Sequence, residues 1–161
     1  MQVAVLKEAA ARENRVALTP DSASRLVKAK VEVVVQRGAG ERAGFPDDAY
    51  SAIGARIAPD AASACAGARV VLKVQPPTDP EVTGLDADGA IVSLMRPGQH
   101  AALAKRLAER RVSALALELV PRIARAQSMD VLSSQSTVAG YKAVLLGAAE
   151  LGKFLPMLTT A

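Results

Sequence analysis

The chain has 161 residues, 50% of them hydrophobic but only 2% aromatic, with no Trp, 22% charged residues and a formal net charge of +4. That length suits one domain able to take roughly 70% of the unfolded chain's surface out of water, around a core that has to be packed from Ala, Val, Leu and Ile. The positive charge carries no nucleic-acid reading, because the basic residues are spread and the aromatic side chains that stack on bases are nearly absent, while a lone Cys65 excludes an internal disulfide and no Cys/His cluster offers a metal site.

Met1 runs directly into "QVAVL" without a basic region and a long apolar run, so no signal peptide is expected. No window approaches the ~18–20 apolar residues of a membrane span, so no direct membrane insertion is expected either. "QVAVL" (2–6) reads as the first strand. In "TPDSASRLVKAK" Thr19 is a helix N-cap and Pro20 the first helical residue, with Ala23, Leu26 and Val27 on one face. "VEVVV" (31–35) is the second strand. The glycines behind it, Gly38, Gly40 and Gly44, read G-x-G-x-x-x-G, one residue too long for the dinucleotide fingerprint G-x-G-x-x-G. A glycine-rich turn is expected there instead, followed by a helix in "PDDAYSAIG" that ends at Gly54.

"ARVVLKV" (68–74) is the next strand, and "QPPTDPEVTGLDADG" (75–89) a loop with one short helix. "AIVSLM" (90–95) and "VSALAL" (112–117) are two further strands, separated by a helix in "GQHAALAKRLAERR". The sole His100 opens that helix, where a solvated surface residue is expected. Several strands are apolar on both faces, as central parallel strands are. Strand–helix alternation at this period predicts an α/β fold with a doubly wound, mostly parallel sheet, Rossmann-like in three α/β/α layers, lacking the glycine-fingerprint half.

No Ser/His/Asp set, G-x-S-x-G elbow or metal-ligand spacing can be assembled. Oxidation of an alcohol or amine calls for a base; hydride transfer between two nicotinamide rings needs positioning but no such proton acceptor. Arg15 in "ENRVALTP" and Lys73 in "VLKVQPP" stand near strand ends, where such sheets bind ligands. Together they form a possible anion or substrate site. Equally, Arg15 can pair with Glu13 or Glu8, and Lys73 can reach water; both readings stay open. "PRIARAQSMDVLSSQS" (121–136) carries two arginines, two glutamines, an aspartate and four serines behind an apolar strand. Arg122, Gln127 and Asp130 offer donors and acceptors suited to a carboxamide and ribose hydroxyls, while Ser133, Ser134 and Ser136 offer hydroxyls or a cap for a final helix of about Ser136 to Phe154. That helix places Val138, Tyr141, Leu145 and Ala148 at helical spacing. A polar loop with an N-cap cluster is the alternative.

"KEAAARENRVALTP", "VLKVQPP" and above all "VPRIARAQSMDVLSSQSTVAGYKAV" resemble the N-terminal domain shared by alanine dehydrogenases and the alpha subunit of proton-translocating nicotinamide nucleotide transhydrogenase. The resemblance covers essentially all of residues 1–161, and its long third motif is of the transhydrogenase type. It implies a domain that precedes an NAD-binding Rossmann domain absent from this chain. It also implies nucleotide contacts at Arg122, Gln127, Asp130 and Ser133, with Ile123, Ala124, Ser128 and Met129 lining the same loop and Tyr141 close by. The implied cofactors are NAD(H) here and NADP(H) on a partner component, with hydride passing between them in the assembled enzyme and no acid–base residue in this chain. The implied partners are the Rossmann half, the NADP-binding and membrane components, and a second copy in a homodimer. The implied place is the cytoplasm, at the inner face of the cell membrane through those partners. The alanine-dehydrogenase branch has a His where this sequence has Arg96, which opposes alanine oxidation. An alanine-dehydrogenase-like fragment and a non-catalytic fold or dimerisation module are the alternatives, and the chain by itself is expected to be inactive.

Overall fold

The computed structural model describes residues 1–153. The chain forms two compact units, Met1–Leu119 and a second beginning at Val120. The first is built on a six-stranded, all-parallel sheet: β1 (Gln2–Val5), β2 (Glu32–Gln36), β3 (Arg56–Ala58), β4 (Val70–Leu72), β5 (Ala90–Ser93) and β6 (Ser113–Ala116). Its order is β3-β2-β1-β4-β5-β6, the order of doubly wound dinucleotide-binding sheets. The expected fold class is therefore the observed one.

Strand alternation distributes the core between two layers, because successive side chains point to opposite faces of a sheet. Val5, Val33 and Val35 join Ala23 of α1 (Pro20–Lys28) and Tyr50 of α2 (Asp47–Ser51) in one cluster. Ala4, Leu6, Val34, Val71 and Ile91 join Ala64 and Cys65 of α3 (Ala61–Cys65), Val82 of α4 (Asp79–Gly84) and Leu107 of α5 (Ala101–Glu109) in the other. Each fully buried Val, Leu or Ile contributes about 1.5–3 kcal/mol, so a core almost without aromatics is made by number rather than by size. The one large ring in it, Tyr50, satisfies its hydroxyl by donating to the Leu18 carbonyl at 2.8 Å; burial pushes its pKa up to about 12. Cys65 is buried too, and its thiol is pushed up to about 11, which makes it a packing group rather than a nucleophile.

The local signals act at the residues that carry them. Thr19 caps α1, accepting from the Ser22 N–H, with Pro20 in the first turn. The glycine-rich turn packs rather than cradles: a Cβ on Gly40 would lie 2.5 Å from the Phe45 carbonyl oxygen and 2.8 Å from the Tyr50 ring. The Gly38 N–H is taken by the Asp47 carboxylate at 2.8 Å. Gly54, at φ +87°, lets the chain leave the helical turn after α2 towards β3. Two elements, β3 and α3, have no counterpart in the sequence reading. β3 is only three residues long, and α3 is an alanine-rich turn started by Asp60, which accepts from the Ser63 N–H at 2.7 Å.

The second unit, described to Lys153, holds a short 3-10 segment, Ala124–Met129, and α6 (Val131–Glu150). The helix begins five residues before the expected Ser136, because Asp130 rather than a serine is the cap. Its expected end at Phe154 lies outside the described residues. Val138, Tyr141, Val144, Leu145 and Leu146 are all exposed on α6. No helix among the described residues is long and apolar enough to cross a membrane.

Candidate functional site

Six of the nine nucleotide-loop residues line one pocket of about 260 Å³ in the second unit: Arg122, Ile123, Ala124, Gln127, Asp130 and Ser133. The local fold explains why. Ile123, in extended conformation, starts the 3-10 segment, whose tight turns bring residues three apart onto one side. Ala124 and Gln127 are such a pair, and Asp130 follows at the same spacing. Asp130 then turns the chain into α6, its carboxylate accepting from the Ser133 N–H at 3.0 Å and the Ser133 hydroxyl at 2.5 Å. Those two bonds, the hydroxyl one foremost, hold the Asp130 pKa below the ordinary carboxylate range, and the Arg122 guanidinium adds to the effect. Asp130 is thus an anion at neutral pH. Two bonds leave lone pairs unused on a carboxylate with about four acceptor sites. Ser128, Met129 and Tyr141 do not line this pocket. Met129 is exposed within the 3-10 segment, and Tyr141 is exposed on α6 roughly two turns beyond Ser133.

Arg15 and Lys73 lie in the first unit, at the carboxyl ends of β1 and β4. These strands flank the point where the sheet order reverses, the usual ligand crevice of such folds. The structure joins them into one network, yet gives each a carboxylate of the protein's own. Arg15 lays its fork on Glu13, with Nε to Oε1 at 2.8 Å and Nη2 to Oε2 at 2.7 Å. That hydrogen bonding lowers Glu13 to about 2 against the opposing effect of burial. Lys73 does not reach water: it is 2% exposed, with Nζ 2.7 Å from Glu81 and 3.7 Å from Glu8. Glu8, whose pKa burial raises, accepts from the N–H groups of Val74 at 2.6 Å and Gln75 at 3.3 Å. Gln75 donates to Glu13 at 2.7 Å and accepts from Arg96 Nη2 at 2.9 Å. Arg96 has a positive φ of 45° and is held there by Glu118, whose carboxylate accepts from the N–H groups of Met95 and Arg96.

Glu81, Gln75 and Glu118 are not among the residues expected from the sequence. For Glu81 a signal exists: "TDPE" is a capping box, in which Glu81 accepts from the Thr78 N–H at 2.6 Å and so stands at the start of α4. His100 occupies the N-cap position of α5, makes no capping bond and is exposed. Among the described residues no group of three or more His, Cys, Asp or Glu is placed to hold a metal.

A sheet in dinucleotide-binding order, no glycine fingerprint in its turns and a polar pocket in a separate second unit define a class of α/β protein that works with a nucleotide rather than enclosing one. The sequence profile of the family described as "Alanine dehydrogenase/PNT, N-terminal domain" matches residues 4–139. In Rhodospirillum rubrum, the protein that forms the first part of NAD(P) transhydrogenase subunit alpha is 43% identical over 166 residues, which are 100% of this chain and 43% of that protein. The solved transhydrogenase of Sinorhizobium meliloti superposes with a TM-score of 0.91 at 40% identity, over 100% of this chain and 48% of that one. The alanine dehydrogenase of Halomonas elongata is 38% identical over 153 residues, 95% of this chain and 41% of that protein. The chain belongs to the alanine dehydrogenase/PNT N-terminal domain family. It spans less than half the length of the relatives it matches.

Proposed function

We propose that this chain is the N-terminal part of the NAD(H)-binding component of a proton-translocating NAD(P) transhydrogenase. In this reading residues 1–161 precede a Rossmann domain that holds most of the dinucleotide. NADP(H) sits on a partner component, a membrane component couples the transfer to proton movement, and the NAD(H)-binding component is a homodimer at the inner face of the cell membrane. The observation that carries the reading is the pocket formed by Arg122, Ile123, Ala124, Gln127, Asp130 and Ser133 in a chain of this family. Its volume of about 260 Å³ is below the roughly 300–1,000 Å³ of sites that enclose a whole drug-sized ligand. It suits one ring with its amide, not a dinucleotide.

NAD(H), when bound, supplies the hydride chemistry. The residues of this chain bind and orient. The Arg122 fork offers donors to a carboxamide oxygen, the Gln127 amide offers both a donor and an acceptor, and ionised Asp130 accepts from hydroxyl or amide N–H groups. Ser128, Met129 and Tyr141 complete the loop and its approach. No proton acceptor is needed, consistent with exposed His100 as the sole histidine. Amino-acid oxidation would need an open cation for the substrate carboxylate, whereas Arg15 and Lys73 are each paired with a carboxylate.

The test joins this chain to the Rossmann domain of a full-length relative, adds an NADP-binding partner and follows hydride transfer by stopped flow. Arg122→Ala and Asp130→Asn should slow transfer roughly ten- to hundredfold with NADH affinity nearly unchanged, since each removes one charged hydrogen bond from the reacting geometry. L-Alanine should produce no NADH. Transfer at the parent rate in both variants would overturn the reading, as would alanine-dependent NADH formation.

A further inference from the structure

Capping α6 asks little of Asp130. One side-chain oxygen accepting from the Ser133 N–H is enough, and Asn caps as well as Asp. The structure shows more than a cap. Ser133 donates twice, its N–H to Oδ1 at 3.0 Å and its hydroxyl to Oδ2 at 2.5 Å. A carboxylate gripped at both oxygens by one residue cannot rotate about its last bond, and a hydroxyl donor favours its charged form. The neighbouring Ser134 shows the contrast: its hydroxyl donates to the Asp130 backbone carbonyl at 3.0 Å, not to the carboxylate. The charged neighbour that acts on Asp130 is Arg122, on the same pocket wall.

We propose that Ser133 is a positioning residue: through its paired N–H and hydroxyl it fixes Asp130 as an oriented, ionised acceptor for the hydroxyl or amide donors of a bound nucleotide. This differs from a direct Ser133–nucleotide contact. It rests on the reading of the pocket as a nucleotide site, but its first test involves no nucleotide.

That test follows the Asp130 carboxyl carbon by NMR during acid titration of the 161-residue chain. Ser133→Ala should raise the Asp130 pKa towards the ordinary carboxylate range, Ser133→Thr should restore it, and Ser134→Ala should leave it where it is. Far-UV circular dichroism should show the same helical content in all three, since the capping N–H is kept. An Asp130 pKa unmoved by Ser133→Ala would overturn the proposal. The second test uses the joined, partnered protein. Ser133→Ala should slow hydride transfer about tenfold in the parent and have almost no further effect once Asp130→Asn is present, because both act through one carboxylate. A Ser133→Ala effect of equal size in both backgrounds would mean direct action of Ser133 and would overturn the proposal. Failure of the nucleotide reading looks different: Asp130→Asn would then leave transfer unchanged, while the titration result still stood.

Discussion

The crevice residues of the first unit and the loop of the second are both rich in charge, and they use it in opposite ways. Around Lys73 the side chains of Glu8 and Glu81 are buried with it, and Glu13, also buried, holds the fork of Arg15. In the loop, Arg122, Gln127 and Asp130 stand towards solvent around a pocket, and the bonds fixing Asp130 come from its own helix. Buried charges are costly unless paired, so the first set is committed to holding its strands and loops together. Exposed groups carry no such obligation and are available to a ligand. An arginine near a strand end is therefore weaker evidence of a binding site than an arginine on a capped, solvent-facing loop.

The largest expected effect that tests this contrast is at Lys73. Lys73→Ala leaves Glu8 and Glu81 buried without their cation and should destabilise the first unit by about 3–5 kcal/mol in chemical denaturation. A loss near zero would mean the triad is not structural and the contrast fails. Next is Glu13. Its pKa falls from 4.5 to about 2 in the folded protein, so the folded state favours the carboxylate. The resulting stability, about 3 kcal/mol, is present above pH 4.5 and is lost as the pH falls from there to about 2. Glu13→Gln should remove this acid-dependent part of the unfolding curve. If the variant and the parent lose stability in parallel over that range, Arg15 is not held as described.

Smaller effects belong to the loop. Asp130→Ala should lower the helical signal of α6 by circular dichroism, whereas Asp130→Asn, which still caps, should hardly change it. Smallest of all is Arg122→Ala, an exposed substitution expected to alter stability by no more than about 0.5 kcal/mol, despite its expected effect on hydride transfer. An Arg122→Ala variant as unstable as Lys73→Ala would erase the distinction between the two regions.

Much of the architecture is legible residue by residue. β1, β2, β4, β5 and β6, with α1, α2 and α5, fall within or next to the segments marked by apolar runs and caps, because those signals are local. β3 and α3 leave no such trace, since a three-residue strand has no period to detect and an alanine-rich turn has no apolar stripe. α6 begins earlier than its serines suggest, because Asp130 reaches the Ser133 N–H first. The nucleotide loop is visible as a composition and as a resemblance, and six of its residues line one pocket. The fate of Arg15 and Lys73 is visible only in part: Glu13 lies two residues from Arg15, but Gln75 lies 62 residues from Glu13, and Val74 lies 66 from Glu8.

By itself, then, the sequence determined the strand–helix alternation, the helix caps, the failed glycine fingerprint and the polar loop at 121–136, all properties set by neighbours within a few residues. Tertiary structure alone decided which strands became adjacent, and with that order which carboxylates met Lys73 and Arg15 at the carboxyl ends of β1 and β4. A cation in the sequence is only a charge. Whether it binds a ligand or is buried against the protein's own acids depends on groups brought within hydrogen-bond distance by folding, and on the desolvation cost that makes such pairing obligatory once they are buried.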